Sequence, residues 1–183
     1  INHWVNDWKI KNPINTGPNW KCGQEASIRL LNVFLADDVI NSKEINSSLA
    51  EFYVEHLNRI LLTTFYAKAQ NNNHAISEGV ALYLIGNHLK GKIDRYKYDR
   101  YVNKGLTLIE NCVAKSILAD GTFSQYSIVY HRMIIDLLTL LEYFRQKWNL
   151  HSFSNQFYNN VKKSIVWYHE MIDPISGDAP NLS

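Results

Sequence analysis

Residues 74–86, HAISEGVALYLIG, and 128–141, IVYHRMIIDLLTLL, are apolar on almost every side of a helix. A helix without a polar face has nothing to offer water, so other elements must enclose it. Residues 44–69 and 95–118 differ. They repeat apolar positions at helical spacing, through Ile45, Leu49, Phe52, Leu57, Ile60 and Leu61, then through Tyr98, Tyr101, Val102, Leu106, Ile109 and Val113. They also carry regular surface charge, such as Glu51 with Glu55 and Lys104 with Lys115. Enclosed helices alternating with half-exposed ones predict an all-α chain in two concentric layers, an incomplete α/α toroid of helical hairpins. A simple bundle accounts for the periodicity almost as well.

Three further helices follow from the same spacing. Residues 24–35 place Ile28, Leu31 and Leu35 on one face. Residues 125–147 run through Ile128, Met133, Ile134, Leu137, Leu141 and Phe144, and residues 152–171 through Phe157, Val161, Ile165 and Tyr168. Strand signals are almost absent. Pro13, Gly17 and Pro18 make residues 1–20 read as an extended arm and loop, Gly86 reads as a helix stop, and Asp120-Gly121 reads as a turn. The division is an arm over 1–20, a helical domain over 21–172 and a linker over 173–183, DPISGDAPNLS. A chain of 183 residues suits one domain, or part of a larger one, with a real core.

Charge argues against nucleic acid, because 19 basic and 17 acidic residues give a net charge of +2 with no basic block. The strongest membrane candidate, 133–141, carries Asp136 and is too short to span a bilayer. No signal peptide is visible. The chain opens on Ile1, as a processed product or an excised piece would. Cys22 and Cys112 lack metal-type spacing, and free and paired states both remain open. Aromatics reach 13%, enough either to fill a large helical core or to offer platforms for sugar rings.

Three stretches carry chemistry. In NPINTGPNWKCGQEASIRLLN, residues 12–32, Glu25 and Arg29 stand at i and i+4, a pairing that stabilises a helix by about 0.2–0.5 kcal/mol. Arg29 also presents a fork suited to a carboxylate. Trp20 serves either as a sugar-stacking surface or as a core plug. In QNNNHAISEGVALYLIG, residues 70–86, Asn73 fits an N-cap and His74 the first helical position. A helix N-terminus disfavours positive charge, so His74 should be neutral, with Glu78 one turn on to fix its tautomer. In DGTFSQYSIVYHRMIIDLL, residues 120–138, a turn delivers Gln125, Tyr126, Ser127, Tyr130 and His131. Ser127 and Tyr130 share a face, with Ser124 as a candidate cap. The Tyr130 hydroxyl, ahead of an apolar run, should need a partner or a cavity. His131 points about 100° away from Tyr130, so the two should not serve one atom.

These three segments resemble the helical domain of the heparinase II/III-type polysaccharide lyases. The recurrent phrases are N-P, then G-x-x-W, then E-x-x-x-R; N-N-H-x-x-x-E; and D-G-x-x-x-E-Q-S-x-x-Y-H. They occur here in order, with a helix pair between each, and cover nearly the whole chain. One departure stands out: Gln125-Tyr126 occupies the place where Glu-Gln is common.

The resemblance implies eliminative cleavage of an acidic, uronate-containing polysaccharide. It implies Asn73, His74 and Tyr130 as catalytic positions, and Trp20, Arg29, Glu78, Gln125 and His131 as substrate contacts. It implies no cofactor and no metal in the helical domain, a periplasmic or secreted location, and no membrane span. It also implies a C-terminal β-sandwich domain that completes the site with a further His or Tyr and leaves room for a structural metal there. The residues up to Ser183 are accordingly expected to bind glycan weakly and turn it over poorly by themselves. Two alternatives remain: a non-catalytic carbohydrate-binding helical module, and an α/α-toroid glycoside hydrolase, for which Glu78, Asp120 and Asp136 are the available carboxylates.

Overall fold

The computed structural model describes residues 1–40, 47–70, 72–90 and 98–180. Among these, the chain forms seven α-helices and one short 3-10 turn: α1 (Asn2–Lys11), the turn Pro18–Trp20, α2 (Gly23–Ile40), α3 (Ser47–Gln70), α4 (Asn73–Lys90), α5 (Asp99–Ser116), α6 (Ile128–Lys147) and α7 (Asn155–Glu170). The fold is all-α. The one β-type pairing among the described residues is the isolated bridge between Ile117 and Phe123, which frames the Asp120-Gly121 turn. Ile45 and residues 95–97, expected at the starts of two helices, lie outside the described residues.

Helix α4 occupies the centre. Ala75 through Gly86 are all buried, as a helix without a polar face requires. Side-chain contacts fix the polarity of its neighbours. Gln24 and Asn73 meet at Met133, while Phe34, His88, Phe144 and Trp148 stack at the opposite end. Helices α2, α4 and α6 are therefore parallel and form an inner row. Tyr53 packs beside His88, and Thr63 beside Glu78. Tyr158 bonds Glu142, and Ser164 bonds His131. Thus α3 runs antiparallel to α4, and α7 antiparallel to α6. Helix α5 returns along α4, with Val102 at Gly86 and Leu108 at Gly79. The outer helices α3, α5 and α7 are each half-exposed. This is the two-layer, toroid-type arrangement rather than a simple bundle.

The layers approach closely where α4 meets α5. A Cβ on Gly105 would stand 2.6 Å from the Tyr83 backbone nitrogen and 2.7 Å from the Gly79 carbonyl oxygen. A Cβ on Gly86 would stand 2.9 Å from Val102 Cγ2. Gly86 is thus a packing glycine inside α4, not the helix stop expected from sequence, and the helix continues to Lys90.

Two other expectations are corrected. The N-terminal arm is a helix over its first half. Val5 is buried in the core, and Trp8, one turn on, packs onto α3 through Phe52 and His56, with ring centroids 5.7 and 5.6 Å from its own. The breakers act only after Lys11, where Asn12 precedes Pro13. Helix α6 is not enclosed on all sides either. It ends the inner row, with α4 on one flank and Arg132 paired to Asp136 in solvent on the other. Both cysteines are free thiols, Cys22 partly exposed and Cys112 buried.

The glycine contact makes a stability prediction with a definite sign. In an exposed helix, Gly→Ala gains about 1 kcal/mol from propensity. At Gly105 the added methyl meets the α4 backbone at Gly79 and Tyr83, so Gly105→Ala should instead cost about 1–3 kcal/mol. Urea unfolding followed by circular dichroism measures this, and a more stable variant would contradict the close packing described here.

Candidate functional site

Parallel inner helices bring their N-termini to one end of the molecule. Gln24 and Glu25 stand in the first turn of α2, Asn73 and His74 open α4, and Tyr130 lies in the first turn of α6. The loop before α6 adds Gln125, whose side-chain oxygen accepts the Asn73 backbone N–H at 2.9 Å.

Capping at this end differs from the sequence expectation. Asn72, not Asn73, caps α4: its Oδ1 accepts the His74 N–H at 3.0 Å. Asn73 is the first helical residue, and its side chain is free of cap duty. That side chain is 1% exposed. Its Nδ2 points at Met133 Sδ, 3.9 Å away, and Gln24 Nε2 points at the same sulfur from 3.6 Å. A thioether is a weak acceptor, so two amide donors converge on a spot that satisfies neither well. Helix α6 is likewise capped by Ser127, which accepts from the Tyr130 N–H at 3.4 Å. Ser127 therefore caps the helix instead of sharing a working face with Tyr130, and Ser124 does not cap it. The Tyr130 side chain is 43% exposed rather than enclosed. It lies three residues before Met133, on the helix side that carries the Met133 sulfur toward Asn73.

His74 is half-buried, and burial lowers its pKa, opposed by the charge of Glu25. The imidazole is thus held neutral, as expected, but its carboxylate neighbour is Glu25 and not Glu78. Glu78 turns inward, is 2% exposed, and sits against Gly23 with Thr63 and Arg59 nearby. A Cβ on residue 23 would collide with its Oε1, so the glycine at the start of α2 makes room for this carboxyl. Its Oε2 has no hydrogen-bond partner, and burial raises its pKa to about 7 against the pull of Arg59 and Thr63. In that position Glu78 packs beneath the start of α2 and not beside His74.

Three more of the expected contacts lie behind the site. Trp20 is 2% exposed, and its indole N–H bonds the Asn12 carbonyl at 3.1 Å; it is the core plug. Arg29 does not reach for Glu25. Its guanidinium lies 4.5 Å from the centre of the Trp8 ring, its Nε donates to His56 Nε2 at 3.1 Å, and its Nη2 donates to the Asn19 carbonyl at 2.7 Å. His56 carries its proton on Nδ1, bonded to the Phe52 carbonyl at 2.8 Å, and burial pushes its pKa down to about 3. A neutral histidine accepting from arginine explains why two cationic residue types share this cluster. His131 is 1% exposed, stacked on Trp167 at 4.8 Å, and bonded to the Ser164 hydroxyl at 2.6 Å. It ties α6 to α7 and faces away from Tyr130.

The structure therefore joins Asn73 to Gln125, keeps His74 beside them and sets Tyr130 in the first turn of α6 at the same end, while Trp20, Arg29, Glu78 and His131 engage other partners. Sequence reading missed Gln24, Asn72 and Met133 as members, and assigned Glu25 only to a helix pair. The position of Gln24 and Glu25 at a helix start was the available signal. No group of three or more His, Cys, Asp and Glu side chains suited to a metal occurs among the described residues. Among the described residues no helix is long and apolar enough to cross a membrane.

Comparison with known proteins points in one direction. A protein-family model described as heparinase II/III N-terminus matches residues 2–183. A crystal structure described as a heparan sulfate lyase HepC mutant from Pedobacter heparinus shares the fold with a TM-score of 0.60 at 20% identity. The match covers 98% of this chain and 29% of that one, so the chain spans less than a third of that protein's length. No curated protein sequence matches.

Two predictions test the geometry without reference to activity. Asn72→Ala should cost about 1 kcal/mol of unfolding stability, the usual value of a lost N-cap, whereas the assignment of the cap to Asn73 would leave the protein unchanged. Glu78 gives a pH signature. Unfolded, its carboxyl ionises near 4.5; folded, it keeps its proton to about 7. Its stability contribution is complete below about 4.5 and is lost as pH rises to about 7. Glu78→Gln should therefore gain stability relative to the parent across that window, up to about 3 kcal/mol, and hold the gain above it. Parallel stability curves between pH 4 and 8 would refute the buried carboxyl.

Proposed function

The chain belongs to the heparinase II/III family, and from that premise we propose that it is the helical part of a polysaccharide lyase acting on a uronate-containing, acidic glycan by β-elimination. The observation that carries this reading is the convergence of the Asn73 and Gln24 amide donors on one weakly accepting sulfur, at the end of the inner row that also carries the half-buried His74 imidazole and, in the first turn of α6, Tyr130.

The chemistry asks for such a set. The C5 proton of a uronic acid is only weakly acidic while its carboxylate carries a full charge. Amide N–H groups from Asn73 and Gln24, with the His74 imidazole beside them, bond that carboxylate and draw its charge. Met133, unbranched and adaptable, gives way as a better acceptor arrives. A base then takes the C5 proton, the C4–C5 double bond forms, and the C4–O bond breaks with protonation of the leaving oxygen. Tyr130, exposed at the mouth, supplies the proton to that oxygen, and acts as the base when its phenol is ionised. Gln125 holds the first amide of α4 and so fixes where Asn73 and His74 stand.

A hydrolase needs two carboxylates flanking the bond to be cleaved. Glu78 is buried under Gly23, Asp120 holds the Thr122 N–H at 2.9 Å, and Asp136 lies in solvent with Arg132. That leaves Glu25 alone beside His74, which favours the lyase over the hydrolase.

In the full-length protein, Tyr130→Phe should lower kcat by about 10²–10⁴-fold with glycan affinity retained. Absorbance of the new unsaturated uronate, followed over a panel of uronic polysaccharides, reports turnover, and calorimetry reports binding. A variant that loses affinity in proportion to rate, or a parent that binds every member of the panel without cleaving any, would favour a binding module.

A further inference from the structure

We propose that the trough between the outer helices α3 and α5 is a second contact surface for a linear acidic glycan, separate from the site at the inner-helix N-termini. Lys68, Arg100, Lys104 and Lys115 line it. None of the four forms an ion pair among the described residues, and no carboxylate lines the trough. The two acidic side chains of α5 are engaged elsewhere: Asp99 pairs with Lys90, and Glu110 accepts the Ser154 N–H and hydroxyl at 2.7 and 2.6 Å on the α7 side.

Helix stability accounts for only two of these four charges. Lys68 and Lys115 fall in the last turns of α3 and α5, where a cation offsets the helix dipole. Arg100, the second residue of α5, stands at the end where a cation is unfavourable, and Lys104, one turn later, gains nothing from the dipole. Arg100 and Lys104, at i and i+4, are also a like-charge pair that destabilises a helix. Positive charge along the whole α5 edge, over about 22 Å at 1.5 Å per residue, is explained by an extended anion laid in the trough.

The rest of the lining suits sugar. Asn103, Thr107 and Asn111 stand exposed between the cations, at spacings that keep them on the same helix side. Phe65, 83% exposed, follows Leu61 by four residues and precedes Lys68 by three, so it sits on the rim as a platform for a ring. Cations separated by amides and hydroxyls, with one aromatic at the edge, match a chain of hydroxylated rings with spaced carboxylates or sulfates. Single-stranded nucleic acid would call for a row of stacking aromatics inside the groove, and there the lining has none. The trough opens at Lys68 and Lys115 toward the end of the molecule that holds Asn73 and Tyr130, because α3 and α5 run antiparallel to α4. A long chain engaged at the site has this surface available to a distal stretch. The glycan class rests on the lyase reading above, whereas the existence of an anion-binding trough does not.

The test uses the full-length protein and the triple variant Lys68→Glu/Lys104→Glu/Lys115→Glu; Lys68 and Lys115 are exposed, Lys104 is half-buried, and none belongs to the core. The probes are labelled heparan sulfate and alginate chains, each long and as a short oligosaccharide, with uncharged dextran as control. Affinity for the long acidic chains should fall about tenfold at low salt and less at high salt, while affinity for the short oligosaccharide and its turnover stay unchanged. Phe65→Ala should weaken long-chain binding without altering its salt dependence. Unchanged long-chain affinity in the triple variant overturns the proposal, as does equal weakening for short and long chains. Stronger binding of the parent to phosphatidylserine vesicles or to single-stranded DNA than to either glycan also overturns it. Retained trough binding with no turnover of any uronate would instead remove the lyase reading and leave the trough standing.

Discussion

The backbone contact between α4 and α5 at Gly79 and Gly105 governs the rest of the molecule. With no Cβ on Gly105, the two helices come close enough for the backbone of one to pack on the backbone of the other. Helix α4 is then walled by α5 on one side, by α3 on another, and by α2 and α6 in its own row. An apolar helix is stable only in such an enclosure. Loosening any wall would expose Leu82, Leu84 and Ile85, which are fully buried. The enclosure also makes the N-terminus of α4 a rigid support, and chemistry that depends on the position of an amide and an imidazole needs that rigidity.

Parallel packing of the inner row has an electrostatic consequence. Three helix N-termini meet at one end, each carrying partial positive charge from unpaired N–H groups. Asn72, Gln125 and Ser127 satisfy particular N–H groups at the starts of α4 and α6 with neutral oxygens, and so leave the dipoles uncompensated by formal charge. Glu25 is the one carboxylate in the first turns of α2, α4 and α6 among the described residues, and it acts on His74. Because the caps are supplied by neighbours, the Asn73 side chain is released for another partner.

Much of this was legible in the sequence. The apolar stretch at 74–86 calls for an enclosed helix and the charged patterns around it for half-exposed ones, but periodicity left a simple bundle almost as good; the parallel inner row decides for two layers. The motifs placed Asn73, His74, Gln125 and Tyr130 on elements that do converge. What sequence could not show was the direction of individual side chains. Glu78 stands one turn from His74 on a helix, and nothing in that spacing reveals that Gly23 vacates a space into which it turns. Arg29 and Glu25 have ideal spacing for an ion pair, yet Trp8 and His56 draw the guanidinium away. Trp8 belongs to α1, which Pro13, Gly17 and Pro18 masked by making the whole segment look irregular. Identity of the cap was missed by one residue, because three successive asparagines are equally good caps on paper and only tertiary contact with Gln125 sets the register.

Burial acts on Glu78 and His74 in opposite directions with one outcome. It raises the carboxyl of Glu78 to about 7 and lowers the pKa of His74, so each favours its neutral form. Below about pH 7 Glu78 adds no charge to the interior beneath the site. At alkaline pH Glu78 gains a negative charge beside Arg59, one turn beneath Asn73 and His74 on the same helix. A carboxylate there would oppose a second carboxylate arriving at the helix N-terminus, and the enclosing apolar walls would screen that repulsion poorly. Neutral Glu78 is therefore the state compatible with an acidic ligand. The space that Gly23 leaves for this carboxyl, with one oxygen unbonded, links the packing of the core to the charge that the site can accept.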